Sequence, residues 1–247
     1  MKSTCIVLLV VLCLLMACKH HTPSTTVIVL DTSLSITPRA ELAAQRAIGE
    51  RILHLDRGDR LILVPITNDS RNDAGGHILR LQAPTVRESY DADLKRFRSD
   101  AQKQFAAWVA SLDTHQSRTD ILGALDVARQ EFIVLPKETN RRLIVVSDFI
   151  EDDGLHDFVR DKGLASPASS RTIAVRLRTE RGFVLPRVPI CLGRLESRDF
   201  SQLTEDRKAA VQAFWDEYLS DAGHTPVMHF DGAGLLADAD QKCLPGK

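Results

Sequence analysis

Two short β-branched apolar runs, each closed by an acid, constrain this chain most. Val27, Ile28, Val29 and Leu30 lead into Asp31, and Leu143, Ile144, Val145 and Val146 lead through Ser147 into Asp148. Runs this short, bounded by polar residues, are the pattern of strands buried on both faces. Between them lie segments of helical period. Strands that alternate with helices predict a doubly wound α/β fold, a mostly parallel six-stranded sheet covered on both faces. In such a sheet the carboxyl ends of the strands open on one crevice, so the two acids are expected to converge there.

The remaining elements follow from the same signals. Thr37 and Pro38 start a helix as N-cap and first helical residue, and Ala44, Ile48, Ile52 and Leu55 form its apolar stripe. Residues 60–66 are a second strand, residues 68–76 are turn-rich, and residues 77–81 are a short third strand. Tyr90, Leu94, Phe97, Ala101, Phe105, Trp108 and Leu112 recur at three- and four-residue spacings, the clearest helix in the chain. Ile121, Leu125, Ala128 and Phe132 mark another. Residues 142–147 are expected as the fourth strand and 171–177 as the fifth. Residues 181–193 read as a Gly- and Pro-rich loop with a local extended piece at 188–192. Val211, Phe214, Trp215 and Tyr218 carry the last helix, and residues 226–230 a final strand.

Asp31, Ser33 and Ser35 form an Asp-x-Ser-x-Ser sequence, Thr119 precedes a helix, and Asp148 ends the fourth strand. Two carboxylates in one crevice repel unless a cation or a proton intervenes. Oxygen-only ligands with few formal charges suit a hard divalent ion, Mg2+ first and Mn2+ or Ca2+ as alternatives. The i, i+2 spacing of Ser33 and Ser35 in an extended loop turns both hydroxyls to one side. Helix capping is the competing role for Ser35, Thr37 and Thr119, and a domain of this fold with an empty site is the structural alternative. Glu151, Asp152 and Asp153 either add negative potential at the rim or cap the helix expected next. His115 and His156 could approach that rim. Glu196 and Asp199 flank Arg194 and Arg198 at helical spacing, where ion pairs are expected.

These residues and the strand order resemble the von Willebrand factor type A domain over most of the chain beyond Cys18. Asp31-Thr32-Ser33-Leu34-Ser35 is similar to the family's metal-binding loop. Thr119, followed by Asp120, Leu122, Ala124 and Leu125, resembles its threonine loop, and Ser147-Asp148 its aspartate after the fourth strand. The region from Cys191 onward is less typical of the family. The resemblance implies a metal held by Asp31, Ser33, Ser35, Thr119 and Asp148. In it, Thr119 ligates directly or through water and the two aspartates act largely through water. It also implies a protein partner whose Asp or Glu carboxylate fills the open position on the ion.

The amino terminus bears on location. Residues 5–17 are an unbroken apolar run behind Lys2. That is short of the roughly 20 residues a membrane span needs, and fits the core of a secretory signal. Leu15-Met16-Ala17-Cys18 resembles the lipobox of bacterial lipoproteins, so residues 1–17 are expected to be removed and Cys18 lipidated. Residues 18–26 then form a tether of about 30 Å at most, and residues 27–247 the domain. Asp31 lies at the far end of the first strand from this tether, so the site is expected to face away from the anchoring membrane. Lys19 stands where an aspartate commonly signals inner-membrane retention, so the outer membrane, facing the periplasm, is favoured in a diderm host. Of five cysteines, only Cys191 and Cys243 then remain free to pair in an oxidising compartment.

Composition excludes some functions. Thirty-two Lys and Arg against 33 Asp and Glu, interspersed, leave no basic block for nucleic acid. No Gly-x-Ser-x-Gly elbow, phosphate loop or His-Glu-x-x-His sequence is present. The enzyme rival is a phosphatase-type hydrolase using Asp31, whose motif needs a second acid two residues on, and that position is Ser33. A binding protein rather than an enzyme is expected.

Overall fold

Every residue of β1 (Ser24–Asp31) is buried. The computed structural model describes residues 22–85, 90–112, 116–135, 140–220, 227–236 and 243. The expected signal segment, Cys18 and the tether as far as residue 21 lie outside them. β1 begins three residues before its apolar run. Ser24 donates from its amide and hydroxyl to Asp59 Oδ1, at 2.8 and 3.0 Å, and Thr26 accepts from Arg51 at 3.1 Å. These bonds let polar residues that read as tether be buried as strand.

Around β1 the chain lays down α1 (Pro38–Leu53), β2 (Arg60–Ile66), α2 (Ser70–His77), β3 (Leu79–Gln82), α3 (Tyr90–Ser111) and α4 (Ile121–Ile133). There follow β4 (Asn140–Ser147), α5 (Pro167–Glu180), β5 (Ile190–Arg194), α6 (Arg198–Gln202), α7 (Glu205–Leu219) and β6 (Val227–Asp231). The sheet order is β3-β2-β1-β4-β5-β6, with only β3 antiparallel. Alternate residues of the central strands feed two cores. Val27 and Val29 pack with α4, α5 and α7, while Ile28 and Leu30 pack with α1 and α3. Trp108, Trp215 and Tyr218 are core residues of these layers. Among the described residues no helix is long and apolar enough to cross a membrane.

Three expectations are corrected. Residues 171–177, expected as the fifth strand, lie inside α5. Their β-branched Thr172, Ile173 and Val175 suggested a strand. Ser166 and Ser169 instead form a reciprocal cap with Pro167 at the first position, and Ala174 and Leu177 are buried at helical spacing. The fifth strand is Ile190–Arg194, within and just past the piece that read as loop. Residues 68–76, read as turns, mostly belong to α2. Asp69 caps it, and tertiary bonds from Ser70 to Asp120 and from Arg71 to Asp126 hold a segment of poor helix propensity. Lastly, Arg194 pairs with Asp231 on the neighbouring strand rather than with Glu196 or Asp199, because it sits at the end of a strand and not on a helix. Arg198 lies 4.0 Å from Asp199.

Cys191 on β5 and Cys243 are joined by a disulfide with Cα atoms 5.9 Å apart, both fully buried in the core beside Leu236. It closes a loop across a sequence separation of 52. Reduction is expected to lower stability by about 2–4 kcal/mol, read as a fall in the urea midpoint in dithiothreitol. An unchanged midpoint would show that the bridge does not restrain the unfolded chain.

Candidate metal centre

β1 pairs in parallel with β4 in a register that sets Leu30 beside Val146, so the residues that follow, Asp31 and Ser147, emerge together. Asp31 and Asp148 are both buried, at 1% and 0% exposure. Asp31 Oδ1 accepts the Ser33 amide at 2.9 Å and its Oδ2 accepts the Ser147 hydroxyl at 2.6 Å. The Ser35 hydroxyl donates to Asp148 Oδ2 at 3.0 Å. Its hydrogen is thereby used, so Ser33 Oγ, 3.0 Å away, donates to Ser35. Asp148 Oδ1 accepts the Ile150 amide at 2.9 Å. Asp31, Ser33, Ser35 and Asp148 therefore form one connected chain. Ser35 does not cap a helix. That task falls to Thr37, whose hydroxyl accepts the Ala40 amide at 3.3 Å.

Thr119 makes no side-chain hydrogen bond to this connected chain among the described residues, and only its loop approaches it. It forms an antiparallel bridge with Asp152, with N–H···O distances of 2.9 and 3.0 Å. Its loop also touches the serine loop, where the Leu34 amide donates to the Gln116 carbonyl at 3.3 Å. The cap of α4 is not Thr119 but Asp120, whose side chain accepts the Gly123 amide at 2.6 Å. Glu151 does not cap a following helix. It accepts the first amides of α4, from Ile121 and Leu122, at 2.9 and 3.2 Å. His156 turns to Asp153, 3.0 Å away, and His115 lies outside the described residues.

Electrostatics make this crevice unusual. Burial raises the Asp31 carboxyl above its ordinary range. Burial, and then the facing Asp31, push Asp148 up to about 7. Two opposed buried acids are a deficit of positive charge. Thr32 Oγ1 and Gln116 Oε1, buried in the loops around them, find no hydrogen-bond partner among the described residues. An oxygen-only donor set with an unmet need for positive charge fits a hard divalent cation.

The backbone past Asp148 is held in a costly conformation. Phe149 has φ of 65°, the left-handed region, which costs a non-glycine residue about 1 kcal/mol or more. Its amide donates to Ser147 Oγ at 2.9 Å and its carbonyl accepts Trp215 Nε1 at 2.9 Å. Ser147 thus ties the strained turn to Asp31. Sequence reasoning gave Ser147 no such role, and it missed Ser197, whose side chain near Asp148 offsets part of the upward shift of that carboxyl. Ser197 comes from a segment that pairs with the serine loop, with Ile36 bridging Ser197 and Arg198 donating to the Ser35 carbonyl at 3.0 Å. Ser197 carries a local signal, since it caps α6. Nothing in the sequence places it beside Ser35.

The sheet order and helix layers are those of an α/β domain with a von Willebrand factor A-like fold. No protein-family model matches the chain, and no curated protein does. Solved structures do match. The pilus adhesin SpaC from Lactobacillus rhamnosus GG, in its open conformation, aligns with a TM-score of 0.51 at 10% identity, over 90% of this chain and 29% of that one. A von Willebrand factor type A structure from Catenulispora acidiphila gives 0.42 at 19% identity, over 88% of this chain and 41% of that one. An aerotolerance-related membrane protein from Bacteroides fragilis gives 0.43 at 15% identity, over 89% and 98% respectively. At these identities the likeness concerns fold alone.

Asp31→Asn keeps the shape of the side chain and removes the like charge facing Asp148. In chelator at pH 8 it is expected to stabilise the metal-free protein by about 1–2 kcal/mol. Urea unfolding measures this, and a loss of stability would mean that the two acids do not burden the fold.

Proposed function

We propose that this chain is an exported lipoprotein, anchored through Cys18, whose A-like domain captures a protein partner through a divalent cation. Asp31, Ser33, Ser35, Thr119 and Asp148 would hold the ion, Mg2+ first and Mn2+ or Ca2+ as alternatives. The observation that carries this reading is the pair of buried, opposed carboxylates linked through the serine loop, Asp31 by the Ser33 amide and Asp148 by the Ser35 hydroxyl, with the two hydroxyls bonded to each other. When bound, the ion would supply an electrophilic position for an Asp or Glu carboxylate of the partner.

The chain's own residues set the stage for that contact. Asp31 fixes the serine loop through the Ser33 amide, and Ser35 is held on both sides by hydrogen bonds. Leu34, between the two serines, is 51% exposed and offers an apolar contact beside the site. An apolar residue projecting at the rim suits docking to a protein surface better than enclosure of a small substrate. The position two residues after Asp31 is a serine, which leaves a phosphatase-type reaction without its second acid. The protein is therefore read as a binder and not as an enzyme.

Location rests on sequence. Cys18 after Ala17 and the lack of aspartate at Lys19 favour the outer membrane, facing the periplasm, of a diderm host. Ser24 and Asp31 are the two ends of β1, so the site would point away from the anchoring bilayer.

Incubated with envelope extract, the full chain is expected to retain a protein in Mg2+ and release it in chelator, with Ser33→Ala reducing capture at least about tenfold. Equal capture by the parent chain in Mg2+ and in chelator would sink this reading. Turnover of a phosphate ester that is lost in Asp31→Ala would favour the hydrolase instead.

A further inference from the structure

A second group of acids lies behind the threonine loop and has no part in the site above. Glu151 is fully buried. Its Oε2 is engaged by the Ile121 and Leu122 amides, but its Oε1 has no hydrogen-bond partner among the described residues. An unpartnered oxygen on a buried carboxyl costs on the order of 1–3 kcal/mol or more. Asp120 and Asp153 bring one carboxylate oxygen each to within 4.8 Å of Glu151 and of one another.

The three carboxyls are positioned before any ligand arrives. Asp120 accepts the Gly123 amide at 2.6 Å and the Ser70 amide at 2.9 Å. Asp153 Oδ1 accepts the Leu155 and His156 amides at 2.8 and 2.7 Å. Several cations surround the group. Arg71 and Arg181 both pair with Asp126, Arg118 lies over Gly154, and His156 contacts Asp153. Arg181 also acts on Asp120 electrostatically, but among the described residues only Asp153 has an ion-pair partner, His156, and Asp120 and Glu151 have none. Asp120 and Asp153 line an open cleft of about 390 Å3 together with Asp69, Arg71, Arg118 and Arg181, so an ion's path from solvent runs past both acids and arginines.

We propose that Asp120, Glu151 and Asp153 form a second cation site, one that favours Ca2+. Carboxylate oxygens that lie within 4.8 Å of one another can meet around an ion at Ca2+ ligand distances of about 2.3–2.6 Å. Three carboxylates also give the higher ligand charge that Ca2+ sites use. The position has a structural consequence. Asp120 follows Thr119, and Asp153 follows Asp152, the bridge partner of Thr119. An ion here clamps the threonine loop to the segment after Asp148, and so braces the first site from behind. The competing state is a proton on Glu151, shared with a neighbouring acid.

The test uses the full chain with Asp31→Ala, which disables the first site, stripped with chelator and titrated with CaCl2. Calorimetry is expected to show one Ca2+ per chain and thermal unfolding a rise in melting temperature. Both effects are lost in Asp31→Ala with Glu151→Gln, and weakened with Asp153→Asn at the rim. Mg2+ is expected to bind less tightly than Ca2+. If Asp31→Ala does not fold, Ser33→Ala provides the background. A folded Asp31→Ala chain that takes up no Ca2+ overturns the proposal, as does uptake that survives Glu151→Gln. Loss of Mg2+-dependent partner capture on Ser33→Ala is scored separately, so failure of either site leaves the other standing.

Discussion

Asp31 and Asp148 stand side by side because β1 and β4 run parallel and adjacent, and most of the molecule can be understood as holding that juxtaposition. A parallel sheet with helices on both faces puts strand ends in a crevice shielded from solvent. Shielding raises the cost of leaving two like charges together. Each acid accepts a backbone amide and serine hydroxyls, so hydrogen bonds lower part of that cost. What remains favours a cation. The repulsion that burdens the fold is the same interaction that would give the site affinity for a cation.

The supports lie in places the motif does not name. Trp215 on α7 reaches across to the Phe149 carbonyl and sits within a cluster of Phe149, Phe158, Phe214 and Tyr218. That cluster fixes a left-handed residue directly after Asp148, where a relaxed backbone would move the carboxylate. On the other side, the segment before α6 pairs with the serine loop and adds Ser197 to the environment of Asp148. The disulfide from Cys191 holds Cys243 against β5, one strand away from β4. Residues far apart in sequence thus converge on two carboxylates.

Local sequence revealed the central strands and the long helices because burial on both faces and the 3.6-residue period leave dense signals. Val27 to Leu30 and the Leu94, Phe97, Ala101, Phe105 series each read directly. The failures share a cause. Residues 171–177 carry β-branched side chains at exposed or half-exposed helical positions, where a cap and tertiary packing outweigh local preference. Residues 70–77 contain Asn, Asp and two Gly, and stand as a helix through Ser70 and Arg71, whose partners Asp120 and Asp126 lie some fifty positions away. Of the site, the strand-end acids and serine loop were legible because chemistry and topology coincide there. Ser197 and the bonding of Glu151 were not, since long-range pairing creates them.

Thr119 is where the two acidic clusters meet. Its loop touches the serine loop at Gln116, and its neighbour Asp120 belongs to the second cluster. Asp152, bonded to Thr119 through both backbone groups, is followed by Asp153, which belongs to the second as well. A clamp on Asp120, Glu151 and Asp153 would remove freedom from the backbone of the loop that carries Thr119. Ordering a ligand before the first ion arrives lowers the entropy that its binding must overcome. Occupancy of the rear site would then strengthen the front one without any contact between the ions, and linkage requires the converse to the same degree. The threonine loop lacks a helix or strand of its own to hold it. That is the physical reason a second ion, placed behind it, would matter more there than beside the serine loop, which Asp31 and the segment before α6 already restrain.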